Sequence, residues 1–289
     1  MSNPFEKYNY MDMLKEINNQ YNNMKKLRPI PADSVKYFFD EFAISDSYSS
    51  NAIEGNTFTY DETRLLIKEG VVFSTHSFDE HQDIVGYKEA FSFLYNSTKE
   101  NRIIDEEFIL KIHSFVLNGR SNAGTYRKEQ VYIGDPFKVK YMPPSAIEVP
   151  TRMENYIKDL QQDFVQEKEI VNQTNIDWET LFRKLATHHI EFENIHPFID
   201  GNGRTGRLLL SYEMISLGLL PVDIRYENRE HYYAAFTSYR EKEKYGSRED
   251  SKTDKMAKLL VESECASMKL WNDMFKFYLK KNTGDDKSK

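Results

Sequence analysis

Cysteine is almost missing from this chain: Cys265 is the only one in 289 residues. No internal disulfide can form, which fits a reducing compartment. Cys265 sits in a helix-like run without a histidine beside it, so it is expected as a small buried residue rather than a nucleophile. Long apolar runs are missing as well. Nowhere do about 18 uninterrupted apolar residues occur, and the first ten residues are polar and aromatic without an apolar centre. Neither a membrane span nor a secretory leader is expected; the expected location is the cytoplasm, unless export uses a route that leaves no such mark. Blocks of positive charge are the third absence. The formal net charge is −7 and no long Lys/Arg run precedes the final residues, which argues against a broad electrostatic footprint for nucleic acid. Chemistry on a nucleotide must then rest on a local basic site.

What is present is helical periodicity. Apolar residues recur at Met11, Leu14, Ile17 and Tyr21, then at Val35, Phe38, Phe39 and Phe42, the spacing of one buried helix face. Further helices are expected over 61–69, 79–97, 105–117, 149–165, 178–193, 205–217 and 228–242, with Asp61, Asp105 and Asp177 as caps. Only residues 130–141 alternate as a strand pair does, around Gly134-Asp135-Pro136, before Pro143 and Pro144 stop the pattern. The fold class is therefore mainly α with one short β-hairpin, and the length allows one large domain or two small ones. Met256, Leu259, Leu260, Leu270, Met274 and Tyr278 form a C-terminal stripe with Trp271 and Phe275 beside it, a core-packing or partner face. Residues 241–253 read as a linker or long loop, and the charged residues 280–289 as a frayed tail.

One segment carries chemistry: His196-Pro197-Phe198-Ile199-Asp200-Gly201-Asn202-Gly203-Arg204-Thr205-Gly206-Arg207, followed by Leu208, Leu209 and Leu210. Gly201 and Gly203 permit close backbone approach, so consecutive N–H groups can converge on one anion where a helix begins. Arg204 and Arg207, one turn apart, can add charge-assisted bonds to phosphate oxygens. Asp200 opposes that trend, as a Mg²⁺ ligand between phosphates would. His196 can accept a proton near neutral pH. Caps and a turn are the plainer account of this run, but they leave two arginines at a helix N-terminus, where the macrodipole disfavours cations by about 0.3 to 1 kcal/mol each.

Position by position, this run resembles the signature of Fic-domain proteins of the Fic/Doc superfamily, His-Pro-Phe-x-Asp/Glu-Gly-Asn-Gly-Arg-x-x-Arg. The stretch from Gly124 to Gly134 resembles the family's flap hairpin, and the helix ending Phe192-Glu193-Asn194-Ile195 is also similar, so the likeness covers roughly residues 11–241. It implies a Fic-fold helical bundle with a flap: an N-terminal helical region over 1–100, a catalytic core over 101–242 and a C-terminal extension over 243–289. It implies protein adenylyltransfer, with AMP moved from Mg²⁺-ATP to a Ser, Thr or Tyr hydroxyl. His196 would be the base and Asp200 the magnesium ligand. Gly201, Asn202 and Gly203 would form the anion hole, Arg204 and Arg207 would grip the outer phosphates, and Phe198 would anchor the loop. Val131 and Ile133 would cover the nucleotide while the target protein docks on the flap, 130–141, as an added strand. Tyr232 and Tyr233 would flank the adenine, with helix packing as their alternative. Relatives that transfer the γ-phosphoryl group depart from the signature at the second glycine; Gly203 is intact, so AMP transfer is the expectation.

Gly55 reads as a helix stop that leaves Glu54 in the last turn, where the macrodipole disfavours a carboxylate. A solvated glutamate is the plain account. Ser50-x-x-x-Glu54-Gly55, however, resembles the family's inhibitory motif, which implies an inhibitory helix over about 33–55 whose Glu54 pairs with Arg207 while Ser50 steadies it. The same likeness leaves open removal of AMP from a modified target, another phosphodiester donor, or a nucleotide-binding regulatory module. DNA binding and metal-dependent hydrolysis by His188, His189 and His196 are disfavoured, the latter because adjacent histidines on a helix face different ways. A homodimer through the C-terminal stripe or the N-terminal helix stays open.

Overall fold

The computed structural model describes residues 9–135, 138–244 and 252–276. Ten α-helices and one two-stranded antiparallel sheet make up the described fold: α1 (Tyr10–Lys26), α2 (Ala32–Ile53), α3 (Tyr60–Glu69), α4 (Phe78–Lys99), α5 (Glu106–Val116), β1 (Ile133–Asp135), β2 (Lys138–Tyr141), α6 (Val149–Val171), α7 (Trp178–Ile195), α8 (Asn202–Ser216), α9 (Arg229–Lys244) and α10 (Asp254–Phe275). The mainly-α expectation is borne out.

Local chemistry sets the helix ends. Asp105 and Asp177 cap α5 and α7 as expected, accepting from the N–H groups of Phe108 and Thr180. Asp61 does not cap α3. Thr59 does, in a reciprocal capping box with Glu62, because the box satisfies two orphan donors where an aspartate satisfies one. Helix α2 ends in a Schellman turn: Gly55 has φ +96°, its N–H donates to Ala52 O, and Asn56 N–H donates to Asn51 O. Both bonds close carbonyls that the last turn would leave open. The hairpin is shorter than residues 130–141 and is offset. Gly134 and Asp135 lie in β1 rather than in the turn, with a register irregularity between Ile133 and Gly134, where glycine takes φ +125°.

The main apolar core runs from Met13 to Phe275 and draws on all three expected segments, and a smaller cluster of Phe58, Leu66 and Ile84 seats α3 against α4. Helix α1 packs on α10, and both rest on α7; α4 and α5 pack on α8, and α2 on α4 and α8. The C-terminal stripe is used inside the chain: Met256, Leu259, Leu260, Trp271 and Phe275 are buried, whereas Leu270 faces outward. Cys265 is buried, as expected. Tyr278, the tail 280–289 and most of the linker 241–253 lie outside the described residues; the start of that linker is the last turn of α9. No helix among the described residues is long and apolar enough to cross a membrane.

Candidate active site

The loop between α7 and α8 is held open by backbone rather than by side-chain apolarity. His196 closes α7 in the left-handed region, φ 50° and ψ 60°, a conformation that costs a β-carbon residue about 1 to 3 kcal/mol. Arg127 offsets that cost. Its buried guanidinium donates to His196 O at 2.8 Å, Pro144 O at 2.5 Å, Glu129 O at 3.1 Å and Ile195 O at 3.4 Å, and its own N–H donates to Pro197 O at 2.9 Å. Asn202 closes the loop from the other side, accepting from Phe198 N–H and donating to Phe198 O, both at 2.9 Å. Phe198 is buried, as the anchoring role requires, and stacks on His113 at 3.6 Å. The tautomer of His113 follows from its partners. Nδ1 accepts from Gly124 N–H at 2.9 Å, so Nε2 carries the hydrogen and donates to Asp200 O at 3.0 Å. Burial pushes His113 down to about 4, which keeps it neutral in this role.

Gly201, at φ +76°, is the N-cap of α8. A Cβ there would come within 3.2 Å of Leu117 Cδ2 and Val116 Cγ1 on the neighbouring helix end, so the loop can lie this close to α5 only as glycine. The N–H groups of Asn202, Gly203 and Arg204 then begin α8 with no carbonyl inside the helix to receive them. This is the concave donor set expected of an anion cradle. Asp200 sits at its rim with its side chain 51% exposed. Its Oδ2 accepts from Arg120 at 2.8 Å, and its Oδ1 accepts from Gly201 N–H at 2.6 Å and from Arg204 at 3.3 Å. Asp83 of α4 completes a ring of charges, 2.6 Å from Arg204 and 2.9 Å from Arg120.

The two motif arginines therefore diverge. Arg204 faces α4, whereas Arg207 faces α2 and is fully engaged: Nε donates to Ser50 Oγ at 2.7 Å, and Nη2 donates to Ser50 O at 3.0 Å and to Glu54 Oε1 at 2.8 Å. Glu54 lies across Gly203, where any Cβ would collide with Oε1. Its side chain stays 38% exposed while that of Arg207 is 2% exposed.

Burial pushes His196 down to about 4, so the ring is neutral at pH 7. Nδ1 lies 3.4 Å from Glu193 O; with the hydrogen on that nitrogen, Nε2 is a free acceptor. Tyr232 does not flank an open nucleotide surface. It is 2% exposed, its oxygen receives Arg207 Nη1 at 3.4 Å, and its hydroxyl lies 2.9 Å from His189 Nε2, whose Nδ1 faces Gly206 O at 3.3 Å. Helix packing accounts for it. Tyr233 is 44% exposed and donates to Ile53 O at 3.0 Å, tying α9 to the turn that carries Glu54. Val131 and Ile133 lie on the flap, half-buried. The flap is moored beside His196 by Tyr141, whose hydroxyl donates to Asn194 O at 3.2 Å and whose ring lies 3.8 Å under the Arg240 guanidinium.

Sequence reasoning missed Arg127, His113, Arg120 and Asp83. Arg127 stands in the Gly124-Thr-Tyr-Arg run, so a signal was present. Asp83 and Arg120 are single polar residues in ordinary surroundings and carry none.

Residues 103–214 match the model of the Fic/DOC family. The protein adenylyltransferase Fic of Nematostella vectensis is 33% identical over 214 residues, 72% of this chain and 46% of that protein. Protein adenylyltransferase fic-1 of Caenorhabditis elegans is 34% identical over 192 residues, 65% of this chain and 35% of its own length. The chain thus matches less than half the length of these curated relatives. Among solved structures, a Fic domain-containing signaling protein from Bacteroides thetaiotaomicron aligns with a TM-score of 0.78 at 21% identity, covering 91% of this chain and 97% of that one. Fic-1 from C. elegans aligns at 0.70 and 24% identity, covering 92% and 74%. Signature, fold and relatives converge: across residues 103–214 the chain carries a domain of the Fic/DOC family.

Proposed function

We propose that the chain is a protein adenylyltransferase that moves AMP from ATP to a hydroxyl of a target protein and is held back by Glu54. The observation that carries this reading is the pair at 2.8 Å between Glu54 and Arg207, seated over Gly203 at the start of α8. A carboxylate rests where a helix N-terminus and a buried arginine would receive phosphate. Neutral His196 takes the hydroxyl proton on Nε2, the hydroxyl oxygen attacks the α-phosphorus, and the bond to pyrophosphate breaks; positioning and charge neutralisation carry most of the barrier reduction. The first-turn N–H groups and Arg204 orient the phosphates, joined by Arg207 once Glu54 yields.

Magnesium fits the rim. Asp200 presents a half-exposed carboxylate beside the cradle, the hard oxygen donor that Mg²⁺ takes alongside substrate phosphates. Bound there, the ion would neutralise phosphate charge. Asp83, Arg120 and Arg204 keep that carboxylate in place. A target segment adding to the edge of the hairpin goes with this reading, as does a cytoplasmic location.

The test is incubation of wild type, Glu54→Gly and Glu54→Gly/His196→Ala with ATP labelled at the α- or the γ-phosphate, followed by counting protein-bound label, self-modification included. Label from the α position only, strongest in Glu54→Gly and lost without His196, is the expected result. Label only from the γ position would replace the reading with a kinase. A second reading, removal of AMP, draws on the exposure of Glu54, which leaves its carboxylate open to a water molecule. It predicts that wild type with Mg²⁺ releases AMP from a modified target and that Glu54→Gly does not.

A further inference from the structure

Away from the cradle, the interior holds a second cluster of ionisable groups that the proposed reaction does not use. Glu167 of α6, His188 of α7 and Glu213 of α8 are all buried, and one ligand atom from each lies within 4.8 Å of the others. No other His, Cys, Asp or Glu trio among the described residues comes together in this way. His188 Nδ1 faces both carboxylates, 2.6 Å from Glu213 Oε1 and 3.7 Å from Glu167 Oε1. Its other nitrogen, Nε2, lies 3.1 Å from Asp163 Oδ2, and Asp163 is held in turn by Lys184 at 2.5 Å.

Glu167 is the residue that needs an explanation. Its side chain is fully enclosed, and neither carboxylate oxygen has a hydrogen-bond partner. A buried carboxylate without hydrogen bonds is costly, and a second carboxylate next to it adds to the cost. We propose that Glu167, His188 Nδ1 and Glu213 form a structural site for one divalent transition-metal ion, zinc by preference, separate from the magnesium site at Asp200.

The donor chemistry points to that class of ion. One imidazole nitrogen and two carboxylates suit zinc or cobalt better than magnesium, which keeps several waters and prefers oxygen. A histidine that binds metal through one nitrogen commonly donates from the other to a carboxylate, which fixes its tautomer. Asp163 is placed for that. Two glutamates and a divalent ion sum to zero charge, which an enclosed apolar setting favours. Seating the ion displaces the hydrogen between His188 and Glu213 and parts those two atoms from 2.6 Å to the roughly 3.3 Å that separates two tetrahedral ligands at about 2.0 Å from zinc. Its effect would be to staple α6, α7 and α8, and the last two flank the loop from His196 to Gly201.

The competing occupant is a proton on Glu167, shared toward Glu213. Burial and the nearby Glu213 raise the Glu167 pKa well above the carboxylate range, so a protonated cluster is the outcome to beat. The experiment is elemental analysis of the full chain, expressed with added zinc and purified without chelator or nickel resin, as wild type, Asp200→Asn, Glu167→Gln and His188→Gln. The inference expects about one zinc per chain in wild type and in Asp200→Asn, and loss of it in the other two. Chelation should lower the wild-type Tm by about 5 °C, zinc should restore it, and cobalt should give visible absorption bands of a low-coordinate site. Wild type with no bound metal and no Tm response to zinc would overturn the inference, as would equal zinc in Glu167→Gln. Should Glu167→Gln fold with unchanged or raised Tm and no metal dependence, the proton is the occupant. Neither readout depends on the proposed transferase activity.

Discussion

At Gly203 a missing Cβ serves two occupants. Bare backbone there lets an anion approach the first-turn N–H groups of α8, and it lets Glu54 lie in the same space against Arg207. On the proposed reading, Glu54 and the phosphates of a nucleotide compete for one cation, Arg207. The pair is partly exposed at the Glu54 end, so it is weaker than a wholly enclosed one, yet Arg207 loses a charge-assisted bond whenever Glu54 leaves. Replacing Glu54 with glycine should tighten ATP binding and raise AMP transfer about tenfold or more, the scale of one hydrogen bond to a charged group. Calorimetric titration with ATP checks the first part. Equal ATP affinity in wild type and Glu54→Gly would show that the pair does not compete with nucleotide. Ser50→Ala removes the Oγ acceptor at 2.7 Å and keeps the Ser50 carbonyl at 3.0 Å, so its effect on ATP affinity should have the same sign and be smaller.

Between elements, Arg127 does what no helix contact does: it joins the approach to the flap, the Pro144 turn and the end of α7 through carbonyl oxygens alone. A planar fork spans those acceptors and an ammonium does not. Arg127→Lys should therefore cost about 3 kcal/mol or more of stability, as buried carbonyls lose their donors, and it should depress transfer even in a Glu54→Gly background. A thermal melt with label incorporation checks both. Helix α2, the proposed inhibitory element, is packed along its length. Phe38 of α2 packs edge-on to Trp271 of α10 and Phe39 stacks on Tyr95 of α4, so the proposed brake is expected to yield at the Schellman turn and the Glu54 side chain rather than by departure of the whole helix. Much of this was legible in the sequence, for reasons that differ by element. Helices showed because their buried faces repeat, and Ser50, Glu54 and Gly55 showed because a family pattern stands at their spacing. The ring of Asp83, Arg120, Asp200 and Arg204 did not show, since residues 83 and 200 meet only after α4 packs on α8. Which of the two alternatives held for Tyr232 did not show for the same kind of reason: its pairing with His189 joins α9 to α7, and nothing along the chain announces it.

Over the whole molecule, one core encloses several histidines that must stay neutral. Burial pushes His113 down to about 4, His189 down to about 3 and His196 down to about 4. Each has a folded pKa below its unfolded value, so between about pH 6.5 and pH 4 each of these rings takes up a proton on unfolding, and its own contribution to stability falls as pH falls. Each such histidine contributes up to about 1.4 kcal/mol per pH unit in that window. His188 opposes none of this loss. In the metal-free chain its pKa is raised well above the ordinary value against the pull of burial, by Glu213, Asp163 and Glu167, so below pH 6.5 it is protonated in both states and its contribution is already complete. Buried acids act the other way: burial raises Glu193 to about 8 and holds Asp46 and Glu264 well above the carboxylate range, so over the same window each gives up a proton on unfolding, and the histidine contribution shows as the difference in proton uptake between wild type and a variant that lacks one ring. Melts of metal-free protein across that range, with the slope converted to proton uptake, check it. His113→Gln should remove about one proton of that uptake, because glutamine can meet Gly124 N–H or Asp200 O without titrating. Equal proton uptake in wild type and His113→Gln would mean that this ring is already charged in the folded chain. In that case His113 could not accept from Gly124, and the tautomer that links the flap to the Asp200 loop would be wrong.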